Sequence, residues 1–148
     1  MYRLLILSCS KRKIPTPGLL SAIDRYDGGS FRVLRKMKRI GRWPTNLDVL
    51  ILSAKYGLID TTAQILNYEY KMDPKRAKEL RAQSQTILRN LITKHDYSEI
   101  YIDVGREYLP VIRAGIAGLK DLQATYVSGR IGERLMRLKQ WLMGEEDV

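Results

Sequence analysis

The sequence predicts one α/β domain, a three-layer αβα arrangement around a four-stranded, mainly parallel sheet. Two observations predict it. Four short apolar runs alternate with four amphipathic helical patterns, the order that right-handed crossovers onto one sheet require. The runs are also nearly continuous in Ile, Val, Leu and Tyr, as expected of strands covered on both faces. A length of 148 residues is about one domain's worth, and 45% hydrophobic residues are enough to bury a core. Residues 1–143 are expected to form the domain and 144–148 (GEEDV) an acidic tail.

The first strand is expected at 2–7 (YRLLIL) and the second at 48–52 (DVLIL). The third is expected at 99–104 (EIYIDV) and the fourth at 122–127 (LQATYV). Between the first two, residues 31–40 (FRVLRKMKRI) place Phe31, Leu34 and Met37 on one helical face, with Arg or Lys at nearly all other positions. Asp73-Pro74 reads as an N-cap followed by proline in the first helical turn, opening a helix to about Thr93. A shorter helix is expected within 106–116, beginning later than Arg106 because Pro110 belongs near a first turn. The last helix is expected at 131–142, with Ile131, Leu135, Leu138 and Leu142 on one stripe. Residues 53–72 read as a long connection, and long connections in compact domains are often functional.

Lys and Arg number 26 against 16 acids, a formal charge of +10, which favours anionic partners such as a nucleotide or nucleic acid. The single cysteine excludes an internal disulfide and fits a cytoplasmic protein. No apolar run approaches the roughly 20 residues needed to span a bilayer. The start is not expected to be a signal peptide, because charges follow the short apolar run at once. One Cys and one His cannot build a thiol- or imidazole-rich metal site, so no metal is expected. No motif identifies a cofactor.

In a parallel sheet all C-terminal strand ends meet at one rim, where open α/β folds bind ligands. Those ends read Ser8-Cys9-Ser10-Lys11, Ser53-Ala54-Lys55-Tyr56-Gly57, Asp103-Val104-Gly105-Arg106 and Ser128-Gly129-Arg130-Ile131-Gly132. Small residues there let a ligand approach the backbone, and the cations suit an anion. The glycines around Arg130 fall where a strand meets a helix N-terminus, a natural phosphate cradle, or else mark a tight turn. Lys11, Lys13, Arg130 and Arg134 are candidates to hold phosphate; Ser10, Ser53 and Tyr56 are candidates to orient the ligand. Lys55 beside Tyr56 suits binding more than proton transfer. Cys9 has the neighbours of an activated thiolate, although buried inert cysteine is the commoner state. Asp103 can serve as a general base, bond a ribose hydroxyl, or cap the following helix. His95 is expected at a helix C-terminus, away from the rim. The basic faces at 32–39 and 134–139 read as solvated faces or, where they flank the rim, as a track for a nucleic-acid backbone, with Tyr26, Tyr68 and Tyr70 available to stack bases and Trp43 read as core rather than as a stacking residue.

The strings LILSCSKRK, AIDRYDGGSFRVLRK, DVLILSAKYGLID, YIDVGREYLPVI and SGRIGERLMRLKQWL resemble a family of small bacterial, archaeal and phage α/β domains of unknown function. More distantly they resemble YaaA peroxide-stress proteins and the archaeosine-synthesis domain with a uracil-DNA-glycosylase-like sheet. The resemblance covers most of the chain. It implies that Ser8, Cys9, Ser10 and Lys11, with Ser53, Lys55, Tyr56 and Gly57, line a shared pocket. It adds Tyr26, Gly105, Tyr108, Gly129 and Gly132. The expected function is therefore recognition of a nucleotide or nucleic-acid-linked phosphate at the rim, with action on a base or N-glycosidic bond implied only by the distant company. The alternatives are a non-catalytic nucleic-acid-binding module and a structural partner-binding domain.

Overall fold

A computed structural model describes residues 2–119 and 122–144. Most of the acidic tail, 145–148, lies outside the described residues. The mixed α/β chain forms β1 (Tyr2–Ser8), β2 (Leu20–Ser21), α1 (Ala22–Arg25), α2 (Gly29–Arg39), β3 (Leu47–Ser53), β4 (Gly57–Asp60) and β5 (Gln64–Ile65). It continues through α3 (Pro74–Lys94), β6 (Tyr97–Asp103), α4 (Leu109–Ile116), β7 (Ala124–Tyr126) and α5 (Ile131–Leu142). The main sheet has five strands in the order β4-β3-β1-β6-β7. β1 runs parallel to β3 and β6, and β6 parallel to β7.

The four expected strands are those parallel members; the fifth corrects the count. β4 returns antiparallel along β3, pairing Ser53 with Gly57 through Leu50 with Asp60. Its four residues follow a turn of only three, Ala54-Lys55-Tyr56, so the reversal is too short to leave a periodic signal. Gly57 makes the turn possible: its φ is +76°, and an added Cβ would lie 2.2 Å from the Gln83 amide oxygen. The 53–72 connection also holds β5, which pairs with β2 in a separate two-stranded ladder.

Successive strand residues point to opposite faces, and here both faces are buried. Leu5, Leu7, Val49, Ile51 and Tyr101 join a cluster with Phe31 and Leu34 of α2 and Leu138 of α5. Leu4, Ile6, Leu50, Leu52 and Ile102 join another with Leu80 and Leu88 of α3 and Val111 of α4. Helices therefore cover opposite sides of β1 and β3. The chain after β1 leads to α2 on one side, while the chains after β3 and β6 lead to α3 and α4 on the other. Neighbouring strand exits that diverge in this way open a crevice beyond the end of β1.

The helix signals act as expected. Asp73 caps α3, its carboxylate accepting the Arg76 N–H at 2.7 Å. α4 starts at Leu109 with Pro110 in its first turn. His95 ends α3 and packs between Tyr2 and Tyr97, each ring 5.8 Å away. α2 begins two residues before Phe31 because Gly28-Gly29 brings its start against neighbouring elements. A Cβ on Gly28 would lie 2.9 Å from Ser10 Cβ, and one on Gly29 2.9 Å from Leu135 Cδ1. Among the described residues, no helix is long and apolar enough to cross a membrane.

Candidate functional site at the strand rim

Three consecutive residues at the end of β1 tie the crevice together. Ser8 Oγ accepts the Gly105 N–H at 3.0 Å, joining the exits of β1 and β6. Cys9 donates its N–H to the Leu52 carbonyl at 3.0 Å. Its Sγ accepts the Ala54 N–H at 3.4 Å and lies 3.1 Å from the Tyr108 hydroxyl. Ser10 Oγ accepts the N–H groups of Asp27 and Gly28, both at 3.2 Å, and donates to the Arg12 carbonyl. The exits of β1, β3 and β6 and the start of α2 thus meet within hydrogen-bond distance of Ser8-Cys9-Ser10.

On one side of Cys9 stands a cluster of phenols and ammonium groups. Ser53 Oγ accepts the N–H groups of Lys55 and Tyr56 at 3.2 and 3.0 Å, which uses both its lone pairs. Its proton must then point to the Tyr68 hydroxyl, 2.9 Å away. Tyr68 and Tyr26 hydroxyls are 2.6 Å apart, so one phenol proton closes that bond. The other has no acceptor among the hydrogen bonds of the described residues. Burial pushes Tyr26 up to about 12 and Tyr68 and Tyr108 upward as well, so all three are neutral donors at ordinary pH. Lys13 Nζ sits 4.5 Å over the Tyr68 ring and Lys55 Nζ 5.6 Å from it. Burial pulls the Lys13 ammonium below its ordinary value, and Cys9 and then Glu69 act against that pull. Lys55 also lies 5.3 Å from the Tyr56 ring centre, over its face.

On the other side of Cys9 is a cavity of about 230 Å³. The β1 exit, Gly28-Gly29-Ser30 of α2, Asp103 and Arg134 line it. The first turn of α2 holds no acid of its own and no side-chain cap, and the Ser30 hydroxyl within it donates to the Asp103 carboxylate at 3.5 Å. Asp103 is buried and ion-paired to Arg134, whose Nε donates at 3.0 Å and whose terminal nitrogen donates to the same oxygen. Arg134 is therefore held by a carboxylate, and Asp103 caps no helix. Ser128, Gly129, Arg130 and Gly132 are exposed and do not line the cavity, although Ile131 does. Gly129 has φ +113°, and the Glu133 carboxylate comes within 3.1 Å of the place its Cβ would take. Gly57 faces Gln83 and Leu80 of α3. Lys11 is exposed, Gly105 lies against the Tyr108 ring, and Trp43 is half-buried against the core.

Three supporting residues have no evident sequence signal. Arg25 is fully buried and donates to the carbonyls of Ile14, Thr16 and Gly18 at 2.6–2.8 Å, and to that of Ile65 at 3.4 Å. It shapes the strap that carries Lys13, which bridges back to Tyr26. Arg76 of α3 donates to the carbonyls of Ala54 (2.7 Å) and Lys55 (2.5 Å). Asp27 receives Arg12, Arg32 and Arg35 at 3.3, 3.1 and 2.6 Å, fastening the β1 exit loop to α2. Hydrogen bonds from Arg32 and then Arg35 hold its carboxyl down at about 2, against the upward pull of burial. A depressed acid stabilises the fold above its unfolded value of 3.8, and that stability is lost as pH falls through 2. Urea unfolding of the wild type and Asp27→Asn should therefore show a stability gap that is full near neutrality and closes between those two pH values.

Among the described residues, no group of three His, Cys, Asp or Glu side chains is placed to hold a metal. What the fold and crevice define is an α/β domain with a thiol, phenols and lysines gathered at its strand exits. Residues 4–140 match a family of unknown function, DUF6884, and the chain belongs to it. No curated protein matches the sequence. The crystal structure of AF0587, a protein of unknown function, is similar in fold, with a TM-score of 0.58 and 16% identity. The match covers 99% of this chain but 46% of that one, so the chain spans less than half the length of that protein.

Proposed function

We propose that the rim binds a nucleotide or a nucleic-acid-linked phosphate, with Lys13 and Lys55 holding the anion beside the Tyr26–Tyr68 donors. The observation that carries this reading is the placement of two ammonium groups over one tyrosine ring at the mouth of the crevice. Lys11, two residues before Lys13, adds a third cation. With Arg134 engaged by Asp103, phosphate recognition falls to these lysines. Ser53 and Ser10 are occupied by backbone N–H groups and position the loops, leaving Tyr56 to meet the ligand.

A thermal-shift screen with inorganic phosphate, nucleosides, nucleotides and short oligonucleotides tests it. Nucleotides or oligonucleotides should raise Tm more than nucleosides. The Lys13→Ala/Lys55→Ala double variant should bind at least about tenfold more weakly, a loss of roughly 1.4 kcal/mol. No shift with any anionic ligand at millimolar concentration, or a double variant that responds fully, removes the proposal.

A second reading is chemistry on the base or its N-glycosidic bond, as the distant glycosylase-like resemblance implies. It is favoured by the position of Cys9 Sγ in the crevice, where it accepts the Ala54 N–H and lies 3.1 Å from the Tyr108 hydroxyl. Under it, Cys9→Ser retains ligand binding and loses turnover of nucleosides or nucleotides.

A further inference from the structure

At the opposite end of the sheet from the rim, a groove of about 780 Å³ runs between the C-terminal ends of α2 and α5 and the segment that leads into β3. Arg3, Arg32, Lys36, Arg42 and Lys139 line it, and no Asp or Glu among the described residues does. Two of these cations are already used. Arg3 donates to the Trp141 and Leu142 carbonyls and lies 4.4 Å over the Trp141 ring, and Arg32 pairs with Asp27. Lys36, Arg42 and Lys139 have no ion-pair partner among the described residues. Cations at helix C-termini offset the macrodipole, but two helix ends supply only about half a negative charge each. Three cations with no ion-pair partner among the described residues exceed that by about two charges.

The walls of the groove are apolar and aliphatic: Val33, Met37, Ile40, Pro44, Leu142 and Met143. Ile40 is 52% and Met143 54% exposed, so large apolar side chains stand in water at the mouth. Trp43 is the groove's one aromatic, and it is half-buried against the core. Base stacking needs open aromatic faces, which this floor does not offer. A floor of branched and thioether side chains suits Leu, Ile or Met anchors, as in helix-in-groove recognition.

We propose that this groove docks an acidic amphipathic peptide segment of a partner protein. Its apolar side seats on Ile40, Met143 and the floor between them. Its carboxylates meet Lys36, Arg42 and Lys139. The site is independent of the rim and leaves it open, so one molecule can hold a ligand and a partner together.

The probe is a synthetic helical peptide with leucines at i, i+3, i+4 and i+7 and glutamates elsewhere. A matched peptide carries glutamines in place of glutamates, and single-stranded DNA serves as a competing class. Titration against the full chain is read by calorimetry and by tryptophan fluorescence, which Trp43 makes sensitive to this groove. The acidic peptide should bind with a micromolar Kd that weakens with salt; the glutamine peptide should bind about tenfold more weakly. Lys36→Glu/Arg42→Glu/Lys139→Glu and, separately, Ile40→Ser/Met143→Ser should each weaken the acidic peptide by about tenfold or more. Arg42→Glu alone, an exposed change that leaves Tm intact, should give a smaller loss in the same direction. Rim binding of nucleotide should not change in any of them. The proposal fails if the acidic peptide does not bind, if the glutamine peptide binds equally, or if the variants bind as the wild type does. It fails equally if only DNA binds and the same lysine and arginine changes abolish that binding.

Discussion

Arg25→Met should destabilise the protein by about 3 kcal/mol, a fall in Tm of roughly 6–12 °C for a chain of this size. The guanidinium is wholly buried and has no carboxylate partner among the described residues; its charge is spread over four carbonyls. Methionine fills most of the volume but leaves those carbonyls without a donor, and hydrogen bonds to charged groups contribute about 1.5–3 kcal/mol each before relaxation. The Ile14, Thr16 and Gly18 carbonyls belong to the strap that delivers Lys13. The same variant should therefore weaken anion binding at the rim even at temperatures where it stays folded. Chemical denaturation read beside ligand titration separates the two effects. A variant that loses stability but binds normally would show that the strap holds its shape without Arg25.

Arg134→Met should cost about 3–5 kcal/mol, because it strands a carboxylate whose side chain is only 4% exposed. Asp103→Asn should cost less, since the amide remains a hydrogen-bond acceptor and Arg134 is partly open to water. The double variant Asp103→Asn/Arg134→Met should recover part of the loss, giving a coupling energy of about 1–3 kcal/mol in a double-mutant cycle. Costs that simply add would mean that the two side chains stabilise the fold separately. The cycle also bears on ligand binding. If phosphate at the adjacent cavity competed with Asp103 for Arg134, then Asp103→Asn would tighten phosphate; with the lysines as the anion site, it should leave phosphate affinity unchanged.

The parallel strands were legible because burial on both faces writes continuous apolar runs, and capping chemistry wrote the start of α3 as Asp73-Pro74. The bounds of α5 coincide with the amphipathic stripe at 131–142. β4 was not legible: four residues paired to a strand just behind them in the chain carry no period of their own. The candidate site divides along the same line. Ser8, Cys9, Ser10, Lys13, Tyr26, Ser53, Lys55, Tyr56, Gly105 and Tyr108 fall around the crevice, because the ends of adjacent strands must meet. Arg134 reads as a free phosphate clamp only until Asp103, inward on β6, is seen to hold it. Nothing local in the sequence reveals a pair 31 residues apart. Tyr68 could be read only as one aromatic in a long connection, and its place at the hub of the hydroxyl chain comes from the fold. Arg25, in AIDRY, has the look of a solvated cation, and only its carbonyl partners show why it is buried.

The segment that carries Tyr68, residues 66–72, rests on the domain by slender means. A two-residue ladder joins Leu20–Ser21 to Gln64–Ile65, and beyond it the Tyr68 hydroxyl and the buried Met72 are the main anchors. Such a flap can detach while the central strands remain paired. Its opening would carry Tyr68 away from both lysines at once. Ligand affinity at the mouth is thus tied to the closed fraction of one small piece of the molecule, and substitutions far from the ligand can tune binding by changing how often that piece lifts.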